Sequence, residues 1–274
     1  MEDTVNALIA TVIVIGRQER VDEAAATLDS VRDRAAVRRV LISEGTKSRT
    51  GAVEDEATIR IDGLAPEYVD NAVAWLRASS MPAVVWWRGG AAPALERLCR
   101  LVDRVVLDTD PADEMWPTAA KMFECTALTD LHWGALTRWR SALAHLFDLP
   151  VVRGGTYRQV EIDASDRAAA RLFAGWLRAC FGWHHNAAVR IHDVPSRAGS
   201  PLTRVRLTGT GPALTLLVQP ERTCLEAEVE GAGGARVVPL ADDSMASRFV
   251  EEVGVRTRDT AFERALVAAL ETGE

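Results

Sequence analysis

Along this chain the apolar residues change spacing repeatedly, from continuous or alternating runs to runs repeating every three to four residues, and these changes outline strands and helices. Ala7 to Ile15, ALIATVIVI, is a β-branched run of buried-strand length closed by Gly16. Val21 to Arg34 follows as a helix with Ala25, Leu28 and Val31 on one face. Arg39 to Ser43 predicts a second strand, and Gly45 to Gly51 an exposed loop. Thr58, Arg60 and Asp62 alternate with Ile59 and Ile61 in a half-buried strand, after which Tyr68 to Ser79 forms a helix with Val69, Ala72, Val73 and Leu76 inward. Ala83 to Trp87 is almost continuously apolar, as a strand covered on both faces must be. Leu95 to Val102 reads as a helix, Arg104 to Asp108 as a strand, and Trp116 to about Cys125 as a helix.

The most specific helical pattern is in Asp130 to Asp148, where Leu136, Trp139, Leu143, Leu146 and Phe147 share one face from Thr137 to Phe147. Thr137 is placed as its N-cap, accepting from a free amide of the first turn, behind a short turn with Leu131 and Trp133 that closes near Gly134. Pro150 to Gly155, PVVRGG, halts this helix and reads as a linker. Beyond it Tyr157 to Ile162 is a strand and Asp166 to Phe181 a helix. Five short strands follow at Val189–Ile191, Thr203–Leu207, Leu214–Gln219, Leu225–Val229 and Arg236–Pro239. Helices Met245–Val253 and Thr260–Leu270 are expected to cover one face of that sheet. The fold class is therefore α/β: a Rossmann-like three-layer domain over residues 1–150, then an α+β domain with a mainly antiparallel sheet over 151–274.

At 274 residues the chain can bury a substantial core without metal or disulfide staples. Its 39 acidic and 32 basic residues, net −7, argue against nucleic acid or an anionic membrane as partner. Met-Glu-Asp-Thr supplies no positive n-region, and Val5 to Ile15 is too short and too interrupted to span a bilayer, so a soluble cytoplasmic protein is expected. Cys99, Cys125, Cys180 and Cys224 show no C-x-x-C spacing and read as reduced thiols.

Reactive groups in a recognisable local frame are missing from the sequence. Gly16 follows the first strand, where a dinucleotide fold carries its phosphate loop, but IGRQERVDEA lacks G-x-G-x-x-G; Gln18 obstructs the backbone and Glu19 repels a phosphate. Gly89 and Gly90 have no lysine or hydroxyl placed as in a P-loop and read as a turn into the helix near Pro93. His184, His185, His192 and Asp193 suggest a metal site only loosely, and solvated surface is the favoured reading. His132 and His145 flank the helix that begins at Thr137, with His132 read as a hydrogen-bonding cap group. No G-x-S-x-G or paired carboxylates appear, so neither catalysis nor a cofactor is expected.

Tryptophan is the compositional anomaly, with eight residues against two tyrosines. Strand neighbours alternate, so Trp86 or Trp87 must face inward, and Trp139 lies on the buried stripe. The expectation for the others is that Trp86 or Trp87, Arg88, Trp133, Arg138 and Arg140 form or border an exposed ridge at a strand's carboxyl end, tryptophan and arginine being the types that concentrate binding energy.

Three stretches in order, PAVVWWRG from Pro82, D-L-x-W-x-x-L-T-x-W-R from Asp130 with a following F-D, and LFAGWLRACFGW from Leu172, resemble the signature of the OpcA family. Those proteins are described as glucose-6-phosphate dehydrogenase assembly proteins. The resemblance implies a non-catalytic role: binding glucose-6-phosphate dehydrogenase and favouring its active oligomer. Three departures stand out. Family members usually begin with a further segment before the first strand, and Arg138 replaces a proline common after the threonine. His132 stands where asparagine is common. The first rival reading is a nucleotide or small-molecule enzyme using the crevice at the strand ends. The second is a redox-responsive regulator, disfavoured because Val53, Glu54, Asp55 and Glu56 occupy positions where family members can carry cysteines.

Overall fold

The computed structural model describes residues 9–33, 36–45, 53–55, 58–77, 80–183, 188–219, 221, 223–240, 244–255 and 257–271. The chain opens with β1 (Ala10–Gly16), α1 (Gln18–Ser30), β2 (Val37–Glu44), β3 (Val53–Asp55), β4 (Thr58–Leu64) and α2 (Val69–Leu76). It continues through β5 (Ala83–Trp87), α3 (Ala92–Arg97), β6 (Arg104–Leu107), α4 (Trp116–Met122), β7 (Ala127–Asp130), α5 (Leu131–Gly134) and α6 (Thr137–Phe147). Then come β8 (Tyr157–Ala164), α7 (Arg167–Phe181), β9 (Ala188–Asp193), β10 (Leu202–Gly209), β11 (Leu214–Gln219), β12 (Cys224–Val229) and β13 (Arg236–Pro239). Helices α8 (Met245–Gly254) and α9 (Thr260–Leu270) close the chain.

Two compact units result, one from Met1–Leu131 with Ser244–Asp259 and one from His132–Asp243 with Thr260–Glu274. The first holds a seven-stranded sheet in the order β3-β4-β2-β1-β5-β6-β7, parallel throughout except for the antiparallel edge strand β3. Leaving β3 aside, this is the 3-2-1-4-5-6 order of a dinucleotide-binding fold, so the Rossmann-like reading holds. β1 and β5 are buried at every position, which explains their unbroken apolar runs. On one face Val12, Val14, Trp86 and Val106 pack with Val21, Ala24 and Leu28 of α1 and Phe249 and Val253 of α8.

The second unit is a six-stranded sheet, β13-β12-β11-β10-β8-β9, antiparallel except for the parallel pair β8–β9 that α7 connects. Asp166 caps α7, accepting from Ala169 N–H at 3.0 Å, and Gly182 ends it at φ 61°. α6 packs on β11 and β12, α7 on β8 and β9, and α9 on α7.

Several assignments differ from expectation. α6 belongs to the second unit and α8 to the first, so the division falls at Leu131/His132 with a returning segment, in place of a single boundary at 150/151. An apolar stripe dictates that a helix be buried but not against which sheet; α8 is claimed by Trp86, whose ring stacks on Phe249 at 4.0 Å, and by the Arg104–Glu252 ion pair. β7 has no counterpart in the apolar pattern, and Thr137 is the first helical residue, its hydroxyl donating to Gly134 O at 2.8 Å where a cap would accept. The four thiols are not all free: Cys99 and Cys125, following α3 and α4, form a disulfide across a Cα–Cα distance of 5.5 Å, leaving Cys180 and Cys224. Residues 46–51 of the expected loop, Glu56, and His184 and His185 lie outside the described residues.

Gly175 of the Gly-Trp-Leu signature has a plain cause. A Cβ there would lie 2.2 Å from Ala265 O and 3.1 Å from Ala269 Cβ, so α7 and α9 touch through backbone. Gly175→Ala is expected to lower stability by about 1–3 kcal/mol in denaturant unfolding, whereas Ala174→Gly, with no such obstacle, is expected to cost only about 1 kcal/mol.

Candidate functional site

In a sheet of this order the ligand position is the crevice at the carboxyl ends of β1 and β5. Here it is built from Gly16 and the first turn of α1, Glu44 at the end of β2, Arg88 to Gly90 after β5, and Asp108 after β6. Arg88 N–H donates to Ile15 O at 2.7 Å, continuing the β1–β5 ladder, and a Cβ on Gly16 would lie 3.2 Å from Arg88 Cβ. The Arg88 side chain is fully buried and its donors are engaged. Nε donates to Asp108 Oδ2 at 2.7 Å, one terminal nitrogen to Arg20 O at 2.7 Å, and the other reaches Glu23 at 3.3 Å and Met245 Sδ at 3.7 Å. Asp108 Oδ2 also accepts from Trp86 Nε1 at 3.2 Å, and its carbonyl accepts from Arg20 at 3.1 Å. The guanidinium lies 5.1 Å from the Trp86 ring centre. A buried charge pair survives only when its hydrogen-bonding capacity is met, and this one joins α1, β5 and the loop after β6.

Neighbouring groups are also engaged. Gln18 Oε1 accepts from Ser43 Oγ at 2.7 Å while its amide donates to Asp22, tying α1 to β2 at the phosphate-loop position. Glu44 ends β2, where dinucleotide folds carry the acid that reads ribose hydroxyls. Its carboxylate instead rests over Gly90, where a Cβ would come within 2.5 Å of it, and Gly90 adopts φ 137°. Burial pushes the Glu44 carboxyl above the ordinary carboxylate value, against an opposing hydrogen bond from the Ala91 backbone.

The expected exposed ridge is corrected. Trp86, Trp87, Arg88 and Trp133 are buried at 0–2% exposure, and of the six residues only Arg138 is exposed, with Arg140 half-buried. Trp86, Trp87 and Arg88 belong to the first unit; Trp133, Arg138 and Arg140 belong to the second. Trp133 is sandwiched inside the second unit, with the Arg140 guanidinium 3.6 Å from its ring centre and Phe262 at 5.9 Å. Arg140 in turn donates to Thr137 Oγ1 at 3.1 Å. Trp139 donates to Ser200 Oγ at 3.2 Å, and Asp130, which opens the signature, accepts from Trp116 Nε1 at 3.0 Å. His132 Nε2 lies 3.6 Å from the carboxylate of Asp166 at the start of α7.

The aromatic residues that do face solvent lie outside the expected ridge. Trp75 on α2 is 82% exposed, and Tyr68, seven residues earlier on the same side of the helix, is 57% exposed. The available signal is the place of Trp75 off the inward stripe of Val69, Val73 and Leu76. Among the described residues no group of His, Cys, Asp and Glu could hold a metal ion, and no helix is long and apolar enough to cross a membrane.

Fold and crevice together define a protein built on a dinucleotide-type sheet whose ligand position is bordered by its own exposed Gln18 and buried Arg88 and Asp108, followed by a helix-backed antiparallel unit. A family model described as the C-terminal domain of the glucose-6-phosphate dehydrogenase subunit matches residues 126–266, just over half of the chain. The chain belongs to this family, the OpcA family. No curated protein sequence matches it. Among solved structures, an oxidoreductase from Sinorhizobium meliloti is 12% identical, with 96% of this chain and 87% of that one covered at a TM-score of 0.50. The aldose-aldose oxidoreductase of Caulobacter crescentus, complexed with glycerol, is 10% identical, with 96% of each chain covered at a TM-score of 0.47. At such identities the first likeness shows the fold alone.

Two outcomes test the crevice. Arg88→Ala leaves the buried Asp108 carboxylate with only the longer ion pair to Arg20, at 3.5 Å, and is expected to cost about 3 kcal/mol in denaturant unfolding. Glu44→Gln removes a carboxylate whose folded pKa is raised; such a group favours folding below its unfolded value and loses that advantage as pH rises through the raised one. The variant is therefore expected to melt higher than the parent at pH 7, with the gap closing as pH falls through the raised value towards 4.5.

Proposed function

We propose that this chain is a non-catalytic partner of glucose-6-phosphate dehydrogenase, binding the enzyme in the cytoplasm and favouring its active oligomer in the oxidative pentose phosphate pathway. The observation that carries the proposal is the family match over residues 126–266, whose description names a subunit of that dehydrogenase. The hydrogen bonds that already engage Arg88 and Gln18 at the crevice support a binding role over nucleotide or metabolite chemistry. A ligand entering beside Gly16 must displace Arg88 from Asp108 and Gln18 from Ser43 before gaining any contact of its own.

Such a partner acts without chemistry. Binding the active oligomer more tightly than the less active form shifts the equilibrium by the difference in affinity. The rings at Trp86 and Trp87 pack inside the first unit and that of Trp133 inside the second, so docking falls to side chains that reach solvent. Trp75 and Tyr68 are the strongest candidates, because an indole left 82% exposed carries an apolar area that a partner would remove from water. Exposed Arg138 stays a candidate on the second unit.

Adding the purified chain to purified glucose-6-phosphate dehydrogenase is expected to raise activity and shift the enzyme to a larger mass. Unchanged kinetics together with unchanged mass overturns the proposal. Trp75→Ala is expected to weaken the complex about 30-fold or more, as hot-spot tryptophans do, while leaving thermal stability unchanged.

A further inference from the structure

Among the described residues the helices of the second unit pack on one face of its sheet only. On the other, strand alternation presents Glu226 and Glu228 from β12, Thr215 and Leu217 from β11, and Arg204 and Arg206 from β10. Their register is fixed: Leu217 pairs with Glu226 on one side and Arg204 on the other, and Thr215 with Glu228 and Arg206. Acidic and basic strands thus flank β11 at matching levels. Arg204 is already paired with Asp163 at 2.9 Å, and Arg190 with Glu161 at 3.7 Å. Arg206 and Glu228 have no ion-pair partner among the described residues, and both stand exposed. A depression of about 410 Å³ beside them is lined by Arg206, Thr215, Glu228 and the turn after β12.

We propose that this face binds a second copy of the chain about a twofold axis running along β11. Rotation about that axis turns the face onto its copy, preserves position along the strands, and lays β12 of one protomer over β10 of the other. Glu228 then opposes Arg206 of the partner, Glu226 opposes its Arg204, and Leu217 meets its own equivalent at the centre. Each unpaired charge gains an opposite charge, twice per dimer, and the depression receives the partner's arginine. An axis perpendicular to the strands would bring Glu226 over Glu228 and is excluded by repulsion. Six strands of about six residues give a face of roughly 600 Å² in plan, so the dimer is reversible and weakens with salt.

Sedimentation velocity on the full chain tests this. A monomer–dimer equilibrium in the micromolar range is expected, shifting to monomer as sodium chloride is raised. Arg206→Glu alone and Glu228→Arg alone are each expected to weaken the dimer about tenfold or more, since each opposes like charges twice. The two single variants mixed in equal amounts, and the double charge swap by itself, are expected to restore it; that rescue cannot come from a misfolded chain. A parent monomeric throughout, a dimer insensitive to Arg206→Glu, or singles that fail to pair on mixing would each overturn the proposal. Should the parent stay monomeric and Arg206→Glu abolish dehydrogenase binding, the face docks the enzyme and not a second copy. Dimerisation is independent of the enzyme-binding role, so either can fail alone.

Discussion

The first unit depends on one buried ion pair. Arg88 and Asp108 stand at the carboxyl ends of adjacent parallel strands, where a dinucleotide fold would open to a ligand, and neither charge reaches bulk water. Taking both out of solvent costs several kcal/mol per ion unless the geometry repays it. Here it does, because the donors of Arg88 and the carboxylate of Asp108 find partners on α1, β5 and α8. Such a pair specifies more than it stabilises: it fixes α1 over β1 and orients Trp86, whose ring receives Phe249.

Much of this architecture was legible in the sequence where periodicity had one reading. The bounds of β5, α6, β11, β13 and α9 coincide with the apolar patterns, and the parallel then antiparallel division follows from strand–helix alternation giving way to closely spaced strands. What escaped did so for physical reasons. β7 is four residues, too short to show a period, and lies between two helices. The home of α8 is a tertiary choice made by Trp86 and Arg104, which precede it by more than a hundred residues. Cys99 and Cys125 meet only because two helices end side by side.

The aromatic residues carry a further lesson. Tryptophan and arginine are shared by interfaces and cores, and composition cannot tell them apart when the satisfying groups are remote in sequence. Asp108, Asp130 and Ser200 each accept from a buried indole, while Arg140 lies over the face of Trp133. The residues that identify the family are therefore the framework. Trp75 and Tyr68, which no signature includes, are rings left to solvent. The motifs that carry the resemblance report an interior.

The return of α8 to the first unit has a temporal consequence. A ribosome delivers the N-terminus first, so β1 through β7 emerge with Trp86 lacking its stacking partner until Phe249 follows. At typical elongation rates that interval is on the order of ten seconds or more. During it the nascent sheet carries an open apolar face, with the whole second unit emerging meanwhile. Closure of the first unit's core thus waits for the returning segment Ser244–Asp259.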